Sequence, residues 1–334
     1  MMASSDIEFF GSTGIGVADL QEALNLWQGL EGAHLELINH TENATFLAIL
    51  PDHTKRILRV HRPGYNTLEA IHSELSWSKS LREDTELVTP NPIAGKNGAW
   101  VQSALLGGEN QQYLVLFEFE VGREPTEEED LSAYFEQLGR MAATTHNHVE
   151  HWQKPTDFER LVWTEDRILD ADGLWGDWRK APGMTEEYRP LFTRLDNTLR
   201  QRLSAFGRDQ ARFGLIHADM RLANLLVDGD TIKLIDFDDC GFCWFMYDFA
   251  AAISFIEDSP QVPELKKRWL NGYRSVRALS EADEREIDSF IMLRRMALTA
   301  WIGSHAETPF AASLARHFVR DGARLAEKYL AEFA

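Results

Sequence analysis

The segments GLIHADMRLANLLV (residues 214–227) and TIKLIDFDD (residues 231–239) decide how this chain is read. A short apolar strand delivers Asp219, and Asn224 follows five residues later on the way into a second apolar strand. After the Asp228-Gly229-Asp230 turn, the strand Thr231 to Ile235 delivers Asp236, so one hairpin brings separated polar positions together. Phosphoryl transfer needs such a set. A carboxylate orients the acceptor hydroxyl and receives its proton, while hard oxygen ligands hold the magnesium that neutralises phosphate charge. Asp219 takes the first role, and Asn224 and Asp236 the second; Asp238 or Asp239 assists a second cation or holds the loop. His217 is expected to fix the loop through hydrogen bonds. The plain alternative, a solvated Asp-rich turn capping a hairpin, does not account for the whole ordered set.

Outward from this hairpin, the N-terminal part reads as a short helix (17–30), strands at 33–39, 44–50 and 55–61, a helix over 66–81, and strands at 99–105 and 112–119. Gly122 and Pro125 mark the crossing to a mainly helical part, with helices expected at 126–146, 185–206, from Tyr247, 263–274, 281–301 and 309–333. The division is a leader and helix (1–32), a nucleotide-binding lobe (33–121) and a catalytic, substrate-binding lobe (122–334), with a cleft for nucleotide.

With His217-Ala218-Asp219, Asn224 and Asp236-Phe237-Asp238 in this order, the chain resembles the aminoglycoside phosphotransferase and choline kinase superfamily over about residues 33 to 305. The pattern is nearest to the type II homoserine kinase and bacterial stress-response Ser/Thr kinase branch. The resemblance implies an α+β, protein-kinase-like two-lobe fold, with an antiparallel sheet N-lobe and a mainly helical C-lobe. It implies ATP and magnesium as cofactors and an alcohol as phosphoryl acceptor. Asp248 resembles the family's aspartate that braces the catalytic region, and Ala218 stands where the family usually has glycine. Arg59 resembles the basic strand residue that contacts nucleotide phosphate, with Glu74 as its ion-pair partner, a pairing that charge and spacing also make reasonable. The loop from Asn39 to Ala44, including Asn43, resembles the glycine-poor phosphate loop, and Glu118 and Phe119 match the hinge that meets adenine. Gly11 to Gly16 looks nucleotide-like, but its place before the first helix makes it a flexible leader.

The composition sets bounds. With 53 acidic residues against 34 Lys and Arg, the charge of -19 opposes adhesion to nucleic acid or anionic lipid and favours a cationic substrate. No apolar run approaches the roughly 20 residues that span a bilayer, and no basic-then-apolar leader is visible, so a cytoplasmic monomer or homodimer is expected. Cys240 and Cys243 read as two semi-buried thiols, with a local redox pair as the alternative. His146, His148 and His151 read as helix-capping or surface histidines, and Trp163, Trp175 and Trp178 as local packing or substrate-facing aromatics. Late in the chain, Arg294 or Arg295 could hold a substrate carboxylate, with Trp301 beside them; each reads equally as packing within the lobe. The expected acceptor is a small hydroxyl-bearing molecule such as an amino alcohol or amino acid. A Ser/Thr protein kinase and a nucleotide-binding pseudokinase are the alternatives.

Overall fold

A computed structural model describes residues 17–40, 43–106 and 110–334; Gly11 to Gly16, and Thr41 and Glu42 of the proposed phosphate loop, lie outside these. The chain divides into two compact units, Met1–Gly122 with Lys154–Glu159, and Arg123–Gln153 with Arg160–Ala334.

The first unit is built on an antiparallel sheet. It contains α1 (Val17–Ala23), β1 (His34–His40), β2 (Ala44–Ile49), β3 (Lys55–Val60), α2 (Leu68–Asp84), β4 (Pro92–Ile93), β5 (Val101–Leu106) and β6 (Asn110–Glu118). The strand order is β1-β2-β3-β6-β4, with β5 also paired to β6. Strand parity determines which side chains share a face. Leu58 and Val60 of β3, with Leu114 and Leu116 of β6, join Leu24 and Trp27 in one core. Val115 and Phe117, one residue out of phase, pack with Ile71 and Leu75 of α2. Arg59 lies between Leu58 and Val60 and so falls on the α2 side. Lys154–Glu159 returns to this unit, where the Glu159 N–H donates to Ser73 Oγ at 2.9 Å.

The second unit is mainly helical. It comprises α3 (Ser132–His151), β7 (Leu161–Val162), α4 (Glu165–Leu169), α5 (Arg189–Phe206), β8 (Phe213–Ile216), β9 (Leu225–Asp228), β10 (Thr231–Leu234), β11 (Gly241–Trp244), α6 (Tyr247–Ala252), α7 (Val262–Arg274), α8 (Glu281–Ser304), α9 (Pro309–Leu314) and α10 (Phe318–Phe333). The expected hairpin is β9–β10, with Leu225 opposite Leu234. Three features differ from expectation. The helix expected over 126–146 starts only at Ser132 and runs on to His151. The expected C-terminal helix is two, α9 and α10, separated at Ala315 to His317. All but the first residue of the Cys-Gly-Phe-Cys stretch lies in a strand, β11, between β7 and β8; Gly241 is required there because a Cβ would sit 2.5 Å from the Leu161 carbonyl oxygen.

Helices α3 and α7 meet backbone to backbone. A Cβ on Gly139 would lie 2.0 Å from the Trp269 carbonyl oxygen, and one on Gly272 would lie 1.9 Å from that of Glu136. This reciprocal approach sets Tyr273 of α7 beside His146 of α3, their ring centroids 5.6 Å apart. Gly272→Ala is therefore expected to cost about 3 kcal/mol through forced separation of the helices. Denaturant unfolding should show a lowered midpoint with an unchanged slope; an unchanged midpoint would mean the helices tolerate the methyl group.

Candidate active site

In the second unit the turn that carries Asp219 follows β8, where Ala218 takes a left-handed conformation with φ 66°. Such a backbone costs a residue other than glycine about 1 kcal/mol or more, and it persists because it is held from several sides. The Ala218 N–H donates to Asp248 Oδ1 at 2.8 Å, and its carbonyl accepts from Arg294 Nη1 at 3.2 Å. Asp248, fully buried at the start of α6, also accepts from His146 Nε2 at 2.9 Å. His146 Nδ1 lies 3.0 Å from the Tyr273 hydroxyl, so a neutral ring with its proton on Nε2 satisfies the whole chain of bonds.

Here the structure corrects the reading of His146 as a capping or surface residue: it is wholly buried and bonded to Asp248. Its place on the inner face of α3, among Ala142, Ala143 and Val149, was the available signal. Burial holds the His146 pKa below the ordinary histidine value, outweighing the opposing pull of Asp248.

His217 is a second neutral, buried imidazole. It accepts the Asp219 N–H at Nδ1 (3.2 Å), which leaves Nε2–H to donate to the Ile235 carbonyl at 3.2 Å. Burial lowers its pKa against the pull of Asp248, Asp219 and Asp236. Through these two bonds it joins the turn carrying Asp219 to the end of β10, one residue before Asp236.

Asp219 is nearly enclosed. Its Oδ2 accepts from Asn224 Nδ2 at 2.7 Å and from Arg221 Nε at 3.1 Å, and its Oδ1 accepts from Arg294 Nη2. Burial raises its pKa, but Arg294 and Arg221, with His217, outweigh burial and hold the carboxyl below the ordinary aspartate range. Arg221 was not singled out in the sequence, although it stands two residues after the aspartate. Asn224 Nδ2 also donates to the Asp219 carbonyl at 2.9 Å. The backbone carbonyl of Asn224 accepts from the Ile235 N–H at 2.9 Å, which ties the Asn224 position to the residue before Asp236.

Asp236 is half-buried and, like Ala218, left-handed, with φ 61°. The loop that follows is fixed by its carbonyls: Arg160 donates to those of Asp238 and Cys240, and Trp163 Nε1 to that of Asp239 at 2.8 Å. Asp238 and Asp239 are themselves buried. Cys240 and Cys243 form no disulfide and are fully buried rather than semi-buried, with Cys243 Sγ donating to the Trp163 carbonyl at 3.1 Å. Burial pushes the Cys243 thiol well up, which leaves it inert as a nucleophile.

The other candidates in this unit lie on α8. Arg294 reaches Ala218 and Asp219, whereas Arg295 is bonded to Glu257 Oε2 at 2.7 Å and to the Phe318 carbonyl at 2.9 Å. Trp301 stacks on His305, with ring centroids 4.7 Å apart, and contacts Phe255 and Phe310 edge-on. Trp175 lies over the Arg294 guanidinium at 4.9 Å, and Trp163 packs on Trp175; Trp178 is fully buried.

In the first unit, Arg59 Nη2 donates to both Glu74 oxygens at 2.7 and 2.9 Å. Both residues are buried, and the guanidinium lies 5.1 Å from the Phe117 ring centroid. Asn43 Oδ1 accepts from the Arg62 N–H at 3.3 Å. Glu118 is exposed and accepts from Asn91 Nδ2 at 3.0 Å, and Phe119 lies under Lys55.

The residues that would hold a cation carry hard oxygens, the Asn224 amide oxygen and the Asp236 carboxylate. Magnesium is commonly held by one or two carboxylates together with substrate phosphates, so these residues fit it. Among the described residues, no three His, Cys, Asp or Glu side chains form a metal cluster, and no helix is long and apolar enough to cross a membrane.

Comparison with known proteins places this geometry. The model of the phosphotransferase enzyme family matches residues 34–283. The solved structure of a microcompartment-associated aminopropanol kinase is 40% identical with a TM-score of 0.87, covering 94% of this chain and 98% of that one. An amicoumacin kinase solved with AMP-PNP, Ca2+ and amicoumacin superposes with a TM-score of 0.75 at 20% identity, covering 91% of this chain and 92% of that one. The amicoumacin kinase of Bacillus subtilis is 24% identical over 259 residues, 75% of this chain and 74% of its own length. These likenesses establish the α+β, kinase-like two-lobe class. They point to aminopropanol and amicoumacin kinases, and nothing in them supports the homoserine-kinase or Ser/Thr-kinase branch.

The two buried imidazoles make stability depend on pH. Their folded pKa values lie below the unfolded value of about 6.5, so their full contribution is present above that pH. As pH falls below it, the unfolded chain binds protons that the folded chain refuses, and stability drops until the folded pKa is reached. Each unit of depression is worth about 1.4 kcal/mol. Denaturant unfolding should therefore show a lower midpoint at pH 5.5 than at pH 7.5, with a smaller difference in His146→Gln; an equal difference in that variant would remove His146 from the account.

Proposed function

We propose that this chain, which belongs to the phosphotransferase enzyme family and is an ATP-dependent kinase with an alcohol as acceptor, phosphorylates a small amino alcohol of the aminopropanol type. The observation that carries the acceptor class is the 40% identity to an aminopropanol kinase over 94% of the chain. The net charge of -19 supports it, since it favours a cationic amine over an anionic substrate.

In this reading Asp219 orients the acceptor hydroxyl and receives its proton as the hydroxyl oxygen attacks the terminal phosphorus of ATP. Its low proton affinity suits an orienting group that takes the proton late. His217, Asp248 and His146 hold the turn on which Asp219 stands. Asn224, through its amide oxygen, and Asp236 would hold magnesium, with Asp238 as a further candidate ligand; the ion supplies neutralisation of phosphate charge. In the first unit, Arg59, kept in place by Glu74, is the phosphate-binding candidate. Glu118 and Phe119 are the candidates for adenine, and Asn43 for the phosphate loop. A supply of ATP and a reducing environment for two cysteines that form no disulfide make the cytoplasm the setting of this reading.

Mass spectrometry after incubation with Mg-ATP and separate acceptors tests it: 1-amino-2-propanol, choline, homoserine, hydroxylysine, aminoglycosides and Ser/Thr peptides. Phosphorylated 1-amino-2-propanol is expected. Exclusive transfer to a peptide, or to homoserine, would overturn the acceptor assignment. Asp219→Asn is expected to lower kcat by about 10³-fold with little change in KM for ATP, and retention of full turnover would remove Asp219 from its role.

A further inference from the structure

Arg294 stands in the middle of α8, 1% exposed, with all three nitrogens of its guanidinium hydrogen-bonded. Nε donates to Ser254 Oγ at 2.9 Å, Nη1 to the Ala218 carbonyl at 3.2 Å and Nη2 to Asp219 Oδ1. The Trp175 ring centroid lies 4.9 Å from its central carbon and that of Tyr247 at 5.9 Å. A side chain confined in this way holds its acceptors at fixed positions, which a lysine with one point charge would not do.

The two oxygens of Asp219 are occupied unequally. A carboxylate offers about four lone-pair sites. Oδ2 accepts from both Asn224 Nδ2 and Arg221 Nε, so both of its sites are taken. Oδ1 accepts from Arg294, and one site remains on it. We propose that Arg294 is a positioning residue that fixes which oxygen of Asp219 meets the acceptor: the hydroxyl docks on Oδ1, beside Arg294, and not on Oδ2.

This rests on the reading of Asp219 as the group that receives the acceptor hydroxyl. In the transfer, the hydroxyl oxygen forms the new bond to the terminal phosphorus. The bond from that phosphorus to the bridging oxygen breaks, its electron pair leaving on ADP, and the hydroxyl proton passes to Oδ1. Arg294 touches the carboxylate rather than the substrate. By bonding the Ala218 carbonyl as well, it also fixes the left-handed turn that aims Oδ1.

The test compares Arg294→Lys and Arg294→Met with the wild-type enzyme in kcat, KM for ATP, KM for the acceptor and Tm. The acceptor is whichever alcohol of the panel the wild type phosphorylates; if there is none, slow transfer from ATP to water is the reaction read. Arg294→Lys is expected to lower kcat by about 30-fold or more with KM for ATP changed less than about 3-fold. Arg202→Lys, which alters another, half-buried attachment of α8 through Glu286, should lower Tm without lowering kcat. If Arg294→Met does not fold, Arg294→Lys decides alone. A kcat within about 3-fold of wild type in Arg294→Lys, while Asp219→Asn is inactive, overturns the role of Arg294 and leaves that of Asp219 standing. Full turnover in Asp219→Asn would instead overturn the underlying reading.

Discussion

The second unit depends on one buried carboxylate. Asp248 has no exposure, and its two oxygens accept from Ala218 N–H and from His146 Nε2. An ionised group taken from water carries a penalty of several kcal/mol unless its lone pairs are met. Here that requirement is met by one group from the turn before Asp219 and one from α3. Removing either leaves the carboxylate short of a donor, so the left-handed turn and the α3–α7 packing are parts of a single solution.

The first unit has its own buried ion pair, and its logic is different. Arg59 and Glu74 meet because strand parity turns Arg59 toward α2 and because Glu74 lies one turn after Ile71 on the face of the helix that packs on the sheet. A buried pair of this kind is weak evidence for stability, since well-packed apolar residues often serve as well. Its value is that it holds a cationic group in one orientation on a rigid strand. The two units thus each carry a charged group immobilised by an oppositely charged neighbour, Arg59 by Glu74 and Asp219 by Arg294 and Arg221.

Much of this was legible in the sequence. The hairpin was marked by two apolar runs around an Asp-Gly-Asp turn, and the order of Asp219, Asn224 and Asp236 along it needed no tertiary information. What stayed hidden came from contacts distant along the chain. His146 lies 102 residues from Asp248, and Arg294 lies 75 from Asp219; no local periodicity reports such a partner. The adjacent arginines Arg294 and Arg295 look alike as sequence, yet α8 turns one to Asp219 and the other to Glu257. Likewise, Cys243 lies within, and Cys240 just before, a strand too short for alternation to identify it.

The route of the chain has a consequence for how the molecule is made. Between Gly122 and Arg160 the backbone leaves the first unit, forms α3, returns for Lys154–Glu159 and leaves again. Neither unit is a continuous piece of sequence. During synthesis, when domains tend to fold from the N-terminus as they emerge, the first unit lacks its last segment until α3 has already left the ribosome. At that moment α3 carries Gly139 and His146 but has neither α7 nor Asp248 to meet them. The nascent chain must therefore keep an amphipathic helix waiting, with its apolar face uncovered, until α6 and α7 have been made.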